Sequence, residues 1–203
     1  MIHGVQHDTH DWWLEVATTE TWAYHHELFN DEEIDQINKI ASGYILDQGE
    51  VGSGKDKVKN TNIRNSNIAF LRSSDDANNW IFERITRAVM GINHQFWNFD
   101  LTRIETLQYS EYNVGQFYKD HIDMMYQSPN RAVRKLSFTV QLTDPKKYKG
   151  GDVIIKSGVD DLPMHKNKGT ILFFPSYMLH EVTPVTKGTR HALVGWVSGP
   201  PFK

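Results

Sequence analysis

Within the stretch GQFYKDHIDMMYQ, residues 115–127, His121 and Asp123 lie two positions apart in an aromatic run. Side chains at i and i+2 of a β-strand point to the same face, so the imidazole and the carboxylate can aim at one point while Ile122 faces away. His180, in FPSYMLHEVTPV, sits at the junction between one strand-like run and the next. Two imidazoles and one carboxylate cover one face of an octahedral ion and leave three positions open, a set that suits non-haem Fe(II) and oxygen chemistry. Ten residues after His180, Arg190 opens the run RHALVGWV. A guanidinium there could hold a carboxylate bidentately, with an orientation that a lysine point charge would not supply. Taken singly, each residue has an ordinary reading: a hydrogen-bonded pair on a half-exposed strand, a core histidine, a surface charge. Their order along strand-like runs, at separations a jelly roll can close, favours one shared site.

The elements that must position these residues fall into two groups. From Asp100 onward come short runs rich in Thr, Val, Ile, Phe and Tyr, such as LTRIETLQYSEY, RKLSFTVQL, GDVIIKS and GTILFFP, separated by the turn signals KGGD, NKGT and TKGT. That pattern predicts an antiparallel sandwich or barrel, here a double-stranded β-helix, or jelly roll. Upstream, FNDEEIDQINKIASGYIL predicts a helix capped by Asn30, with Glu33 completing a capping box and Ile34, Ile37, Ala41 and Ile45 on one face. A second helix is expected over about residues 75–93, where Trp80, Ile81, Ile85, Val89 and Ile92 recur at helical spacing. The fold class expected is α+β, mainly β, with the jelly-roll core at 100–198 flanked by N-terminal helical support at 28–95, all in one domain.

Between the helices, GEVGSGKDKVKNTNIRNSN is rich in Gly, Lys and Asn and predicts a mobile surface loop. Gly49, Gly54 and Lys55 imitate part of a phosphate-binding loop, but Asp56 occupies the place of the magnesium-bound hydroxyl and no buried strand leads in. The chain has no cysteine, which excludes disulfides, a thiolate nucleophile and Cys-ligated zinc. A net charge of -3 with interspersed signs gives no field to recruit nucleic acid or anionic lipid. The N-terminal residues lack the pattern of a signal peptide, no run reaches the length of a membrane span, and a cytoplasmic location is the default expectation. His3, His7 and His10 could gather at a metal, but a polar terminus is expected to give no defined site.

The segments YNVGQFYKDHID, GGD and GTILFFPSYMLHEVTPVTKGTRHALVGW resemble the Fe(II)- and 2-oxoglutarate-dependent dioxygenases, most closely their prolyl 4-hydroxylase-like branch. The likeness covers about residues 100–198, and IRNSNIAFL with the Trp80 helix is similar to the region upstream in bacterial members. The resemblance implies that His121, Asp123 and His180 ligate iron and that Arg190 pairs with the far carboxylate of 2-oxoglutarate. It implies a cosubstrate hydrogen bond from Tyr112 and places Gln141 where relatives often carry a Tyr or Thr against the same carboxylate. Trp196 matches an aromatic lining the metal pocket of the peptidyl-hydroxylase branch. The nucleic-acid-demethylating branch carries a second arginine at that spacing, so a nucleobase substrate is not expected. Arg134 aligns with an arginine that contacts peptide, and Arg64 resembles a residue of the lid that closes over substrate.

The implied enzyme binds Fe(II), 2-oxoglutarate and O2, with ascorbate as a candidate reductant, and hydroxylates an unactivated C–H bond while the protein orients that bond and shields it. The expected substrate is a prolyl residue in a peptide or partner protein, and residues about 49–68 are the expected lid. A hydroxylase of a free amino acid or other small metabolite on the same fold is the alternative, followed by a non-catalytic jelly-roll binding module.

Overall fold

In the computed structural model, residues 5–6, 12–13, 20–52, 57–127, 132–158 and 161–202 are described. The look-alike phosphate-loop residues Gly54, Lys55 and Asp56 and the histidines His3, His7 and His10 lie outside them.

The elements that build the site are helices α1 (Asp31–Ala41) and α2 (Asn79–Phe96) and nine strands: β1 (Ala23–His25), β2 (Asn67–Leu71), β3 (Leu107–Tyr112), β4 (Phe117–His121), β5 (Ala132–Gln141), β6 (Val153–Lys156), β7 (Ile171–Pro175), β8 (Leu179–Val182) and β9 (Arg190–Gly199). Every pairing among them is antiparallel. The larger sheet runs β1-β7-β5-β9-β3-β2 and ends on Asp47–Gln48; the smaller runs Asp161–Pro163, β6, β8, β4, Arg64–Asn65. The two sheets form the expected jelly roll.

The larger sheet is covered on both faces, and its strands alternate accordingly. Leu136, Phe138 and Val140 of β5, Ile171 and Phe173 of β7, Leu107 and Tyr109 of β3, and Leu193 and Val197 of β9 join Ile34, Ile37, Ile81, Ile85 and Val89 of the helices in one apolar cluster. The intervening residues face the interior between the sheets. Leu172, Phe174 and Tyr112 meet Val153, Ile155 and Val182 of the smaller sheet there. The same inward face carries Gln108, Ser110, Ser137, Thr139, Gln141 and Arg190, all buried. A helix-backed apolar face and a polar interior are thus written into alternate residues of the same strands.

The helices form for the reasons read from their sequence. Asn30 accepts a hydrogen bond from the Glu33 N–H, and the Glu33 carboxylate accepts from the Asn30 N–H, completing the capping box, an arrangement contributing about 1 kcal/mol. Ile45, however, is 94% exposed, because α1 stops at Ala41 and the chain has turned before reaching it. A 3-10 turn at Asp76–Asn78 leads into α2, which runs on to Phe96. Asn98 takes a left-handed φ of 51° just past the Trp97 cap, a conformation asparagine tolerates.

The helical and β segments are not segregated along the chain as expected, since β1, β2 and Asp47–Gln48 all precede residue 100 and complete the larger sheet. Nor is the Gly/Lys/Asn-rich stretch a free loop: Arg64–Asn65 pairs with β4, the Gly49 N–H donates to the Ser66 carbonyl, and Ser66 is fully buried. Pairing on both sides recruits this segment despite its polarity. No helix among the described residues is long and apolar enough to cross a membrane.

Gly195 on β9 faces Phe138, and an added Cβ would lie 2.2 Å from the ring. Gly195→Ala is expected to destabilise the protein by about 1–3 kcal/mol through overpacking, read as a lowered urea midpoint with an unchanged slope.

Candidate metal centre and its surroundings

His121 closes β4 and is the direct cross-strand partner of His180 on β8. Their rings lie 4.1 Å apart between centroids. Each ring is oriented by its own strand: His121 Nδ1 lies 2.8 Å from the Lys119 carbonyl and His180 Nδ1 lies 2.9 Å from the Met178 carbonyl. A carbonyl only accepts, so each Nδ1 carries a proton and each Nε2 is the nitrogen turned towards the site. Both Nε2 atoms face Asp123, at 3.8 Å from Oδ1 for His121 and 3.5 Å from Oδ2 for His180. Donor atoms of these three residues all lie within 4.8 Å of one another, a spacing suited to an ion about 2.1 Å from each donor.

Asp123 arrives by a route that the residue spacing did not show. β4 ends at His121, so no strand ladder holds the carboxylate. Instead the Ser176 carbonyl, just past β7, accepts from both the Asp123 and the Met124 N–H groups, at 2.9 and 2.8 Å. Ser137 of β5 donates to Asp123 Oδ2 at 2.9 Å, and its Oγ lies 2.8 Å from that of Ser176.

Burial and neighbouring charges together set the titration of His121 and Asp123. Burial holds the His121 imidazole down to about 4 from 6.5, with His180 adding to the effect and the Asp123 charge opposing it. Burial also pushes the Asp123 carboxyl upward, but His180, His121 and Arg134 outweigh it and keep the group below the usual carboxylate value. His121 is therefore neutral beside an ionised Asp123, the protonation state in which both serve as ligands.

Arg190 is the largest fully buried side chain. Its Nη2 donates to Gln141 Oε1 at 3.0 Å, its Nε has no partner, and its guanidinium stands 5.5 Å from the Tyr112 ring centre. Among the described residues no carboxylate lies within ion-pair distance of it. Gly151, at φ +61°, makes room: a Cβ there would approach Arg190 Cδ to 2.9 Å. Phe174 packs on His180 at 4.6 Å and shares the interior cluster with Tyr112, which connects the arginine to the three donors.

Tyr118 stacks on the His121 ring at 3.5 Å, and the Arg64 guanidinium lies 4.7 Å from the centre of the tyrosine ring. Burial pushes the Tyr118 hydroxyl up to about 12, so it stays protonated. Arg64 is buried, donates to Ser66 Oγ and the Glu50 carbonyl, and leaves Nη2 without a partner. On the other side, Arg134 lies 4.0 Å over Trp196 and forms a bidentate pair with Glu105, with bonds of 3.0, 3.1 and 2.7 Å. Ser198 donates to the same carboxylate at 2.7 Å. The Trp196 Nε1 is buried without a regular hydrogen bond, yet close enough to Asp123 to favour its ionised form.

The structure thus gathers His121, Asp123, His180, Tyr112, Gln141, Arg190, Trp196 and Arg64 into or around one interior. Arg134 stands behind Trp196 with its guanidinium occupied. Tyr109, near them in sequence, points to the helix side, where it donates to Asn38. Ser137, Ser176 and Glu105 escaped notice. Their types carry no metal signature, although the alternation of β5 could have put Ser137 on the interior face.

Comparison with known proteins places these observations among relatives. A profile described as the 2OG-Fe(II) oxygenase superfamily matches residues 107–198. A PKHD-type hydroxylase of Gloeothece citriformis is 42% identical over 95 residues, 47% of this chain and 43% of the relative, so that match spans under half of the relative's length. Another, of Prochlorococcus marinus, is 32% identical over 180 residues, covering 85% of this chain and 76% of the relative. The fold matches a Pseudomonas putida prolyl-4-hydroxylase with a TM-score of 0.70 at 18% identity, over 90% of this chain and 95% of that one. It also matches a Trichoplax adhaerens prolyl hydroxylase solved with a peptide fragment of hypoxia inducible factor, with a TM-score of 0.71 at 18% identity, over 87% and 83%.

Because the His121 pKa is depressed on folding, the unfolded chain takes up that proton first, and stability falls as pH drops from about 6.5 towards about 4. Asp123, also depressed, loses its contribution as pH falls below its ordinary value of 3.8, in the same direction. The metal-free protein should therefore show a steady acid loss of urea midpoint across this range, flattened in its upper part by His121→Asn.

Proposed function

Because the chain belongs to the 2OG-Fe(II) oxygenase superfamily, a family that couples Fe(II), 2-oxoglutarate and O2, we propose that it hydroxylates an unactivated C–H bond of a prolyl residue in a peptide or protein. In this reading His121, Asp123 and His180 hold Fe(II), and Arg190 holds the far carboxylate of 2-oxoglutarate. The bound metal with its cosubstrates supplies the oxidation, in which 2-oxoglutarate becomes succinate and carbon dioxide and the second oxygen atom enters the substrate C–H bond.

The observation that carries the reading is Arg190. A buried guanidinium with a neutral amide for company and an unpartnered Nε is costly unless an anion completes it. In this reading a dicarboxylic acid places one carboxylate on the guanidinium and its other end at the three donors. Gln141 orients the guanidinium through its side-chain oxygen and has an N–H2 left to donate, and Tyr112 lies across the same interior. Gly151 sets the depth of the arginine by yielding the space that its stem occupies.

Support for a peptide substrate comes from a donor left over beside the metal site. Arg64 Nη2 is buried without a partner, and the carbonyl groups of an extended peptide are suitable acceptors for such a group. Tyr118, between Arg64 and His121, and Trp196 line an apolar mouth that keeps water from the reacting centre. Arg134 acts on the substrate side through Trp196, which it and Glu105 hold in place.

The test is to incubate the protein with Fe(II), 2-oxoglutarate and proline-containing peptides, with and without ascorbate, and measure succinate together with a gain of one oxygen in the peptide. Turnover on a free amino acid and on no peptide overturns the substrate and leaves the family chemistry intact. Absence of any 2-oxoglutarate-dependent visible absorption in the Fe(II) protein favours a non-catalytic binding module. Arg190→Lys is expected to raise the KM for 2-oxoglutarate about tenfold or more, since a point charge replaces a two-pronged donor.

A further inference from the structure

Resting on that reading of the metal site, we propose that Ser137 and Ser176 form a two-hydroxyl relay that fixes which oxygen of Asp123 meets the metal and thereby keeps three coordination positions open. Neither serine touches the site's donor nitrogens, so both are positioning residues.

The direction of the relay follows from hydrogen counting. Asp123 is ionised and only accepts, so the single hydroxyl hydrogen of Ser137 goes to Oδ2, at 2.9 Å. The 2.8 Å contact between the two hydroxyls must then be donated by Ser176. Both serines are fully buried, where an unsatisfied hydroxyl is costly. The donated hydrogen occupies one lone pair of Oδ2, the oxygen 3.5 Å from His180 Nε2, and leaves Oδ1, 3.8 Å from His121 Nε2, without a hydroxyl donor.

The relay also replaces what the sheet does not provide. Asp123 lies beyond the end of β4, and its backbone is held by the Ser176 carbonyl, which accepts from residues 123 and 124. Ser176 is itself anchored through its N–H to the Lys135 carbonyl on β5, two positions before Ser137. Main chain and carboxylate of Asp123 are therefore fixed by the same pair of serines. Without the hydrogen at Oδ2, the carboxylate is free to turn both oxygens to an ion, as Asp and Glu do when unrestrained. That would consume one of the positions that 2-oxoglutarate and O2 need.

The experiment uses the full chain loaded with Mn(II) and reads water-proton relaxivity, which scales with the number of exchangeable metal-bound waters. Ser137→Ala is expected to lower the relaxivity per bound Mn(II) by about one third, as three open positions become two. Ser137→Thr, which keeps the hydroxyl, should restore it, while Ser137→Val, of the same shape, should not; this pair decides the matter if Ser137→Ala does not fold. Ser176→Ala, which spares the direct bond, should shift the value in the same direction by less. Wild-type relaxivity in Ser137→Val and Ser137→Ala overturns the relay, and if the wild-type protein still makes succinate the functional reading survives it. Failure of the wild-type protein to bind Mn(II) at all overturns both.

Discussion

An ionised carboxylate buried between two imidazoles is the constraint around which this molecule is arranged. Apolar residues of similar volume would pack there at lower cost, because desolvating a charge requires compensation. The compensation available without a metal comes from His180 and His121, from the more distant charge of Arg134, and from the Ser137 hydroxyl hydrogen at Oδ2. A divalent cation would complete it, and Arg190 poses the matching problem of opposite sign a short way into the same interior.

The sheet architecture makes room for both. Because β3, β5, β7 and β9 are covered on their outer face by α1 and α2, their stability comes from Leu107, Leu136, Phe138, Ile171, Phe173 and Leu193 packed against helical isoleucines. The inward positions are released from that task and can be polar. A jelly roll without the helical layer would have to spend its interior on apolar packing, leaving less of it for Gln108, Ser110, Thr139 and Gln141.

Much of this was legible in the residues. The Asn30–Glu33 capping box, the apolar period of α2, the strand runs and the glycines of KGGD, NKGT and TKGT have physical signatures that act locally, and they appear where read: Gly150, Gly169 and Gly188 all adopt positive φ. The donor triad was legible because imidazole and carboxylate at such spacing have few other uses. What was hidden depends on contacts between distant segments. Asn65 and Ser66 look like loop residues until β4 and the Gly49 N–H pair with their segment. Ile45 looks like a core residue until the turn after Ala41 points it outward. Ser137 and Ser176 are ordinary small polar residues whose meaning exists once Asp123 is beside them, and Arg134 reads as a free cation until Glu105 is seen to occupy it.

The opposition of His121 and His180 across a single ladder step has a consequence for how the protein would respond to its ion. The two residues belong to neighbouring strands of the smaller sheet, which no helix among the described residues backs and whose edges are the short segments Asp161–Pro163 and Arg64–Asn65. An ion held by both would act as a rivet through the thinner wall of the barrel, adding its binding free energy to the least reinforced part of the fold. Metal supply would then set not only reactivity but the mechanical integrity of one wall, while the helix-backed wall keeps its shape regardless.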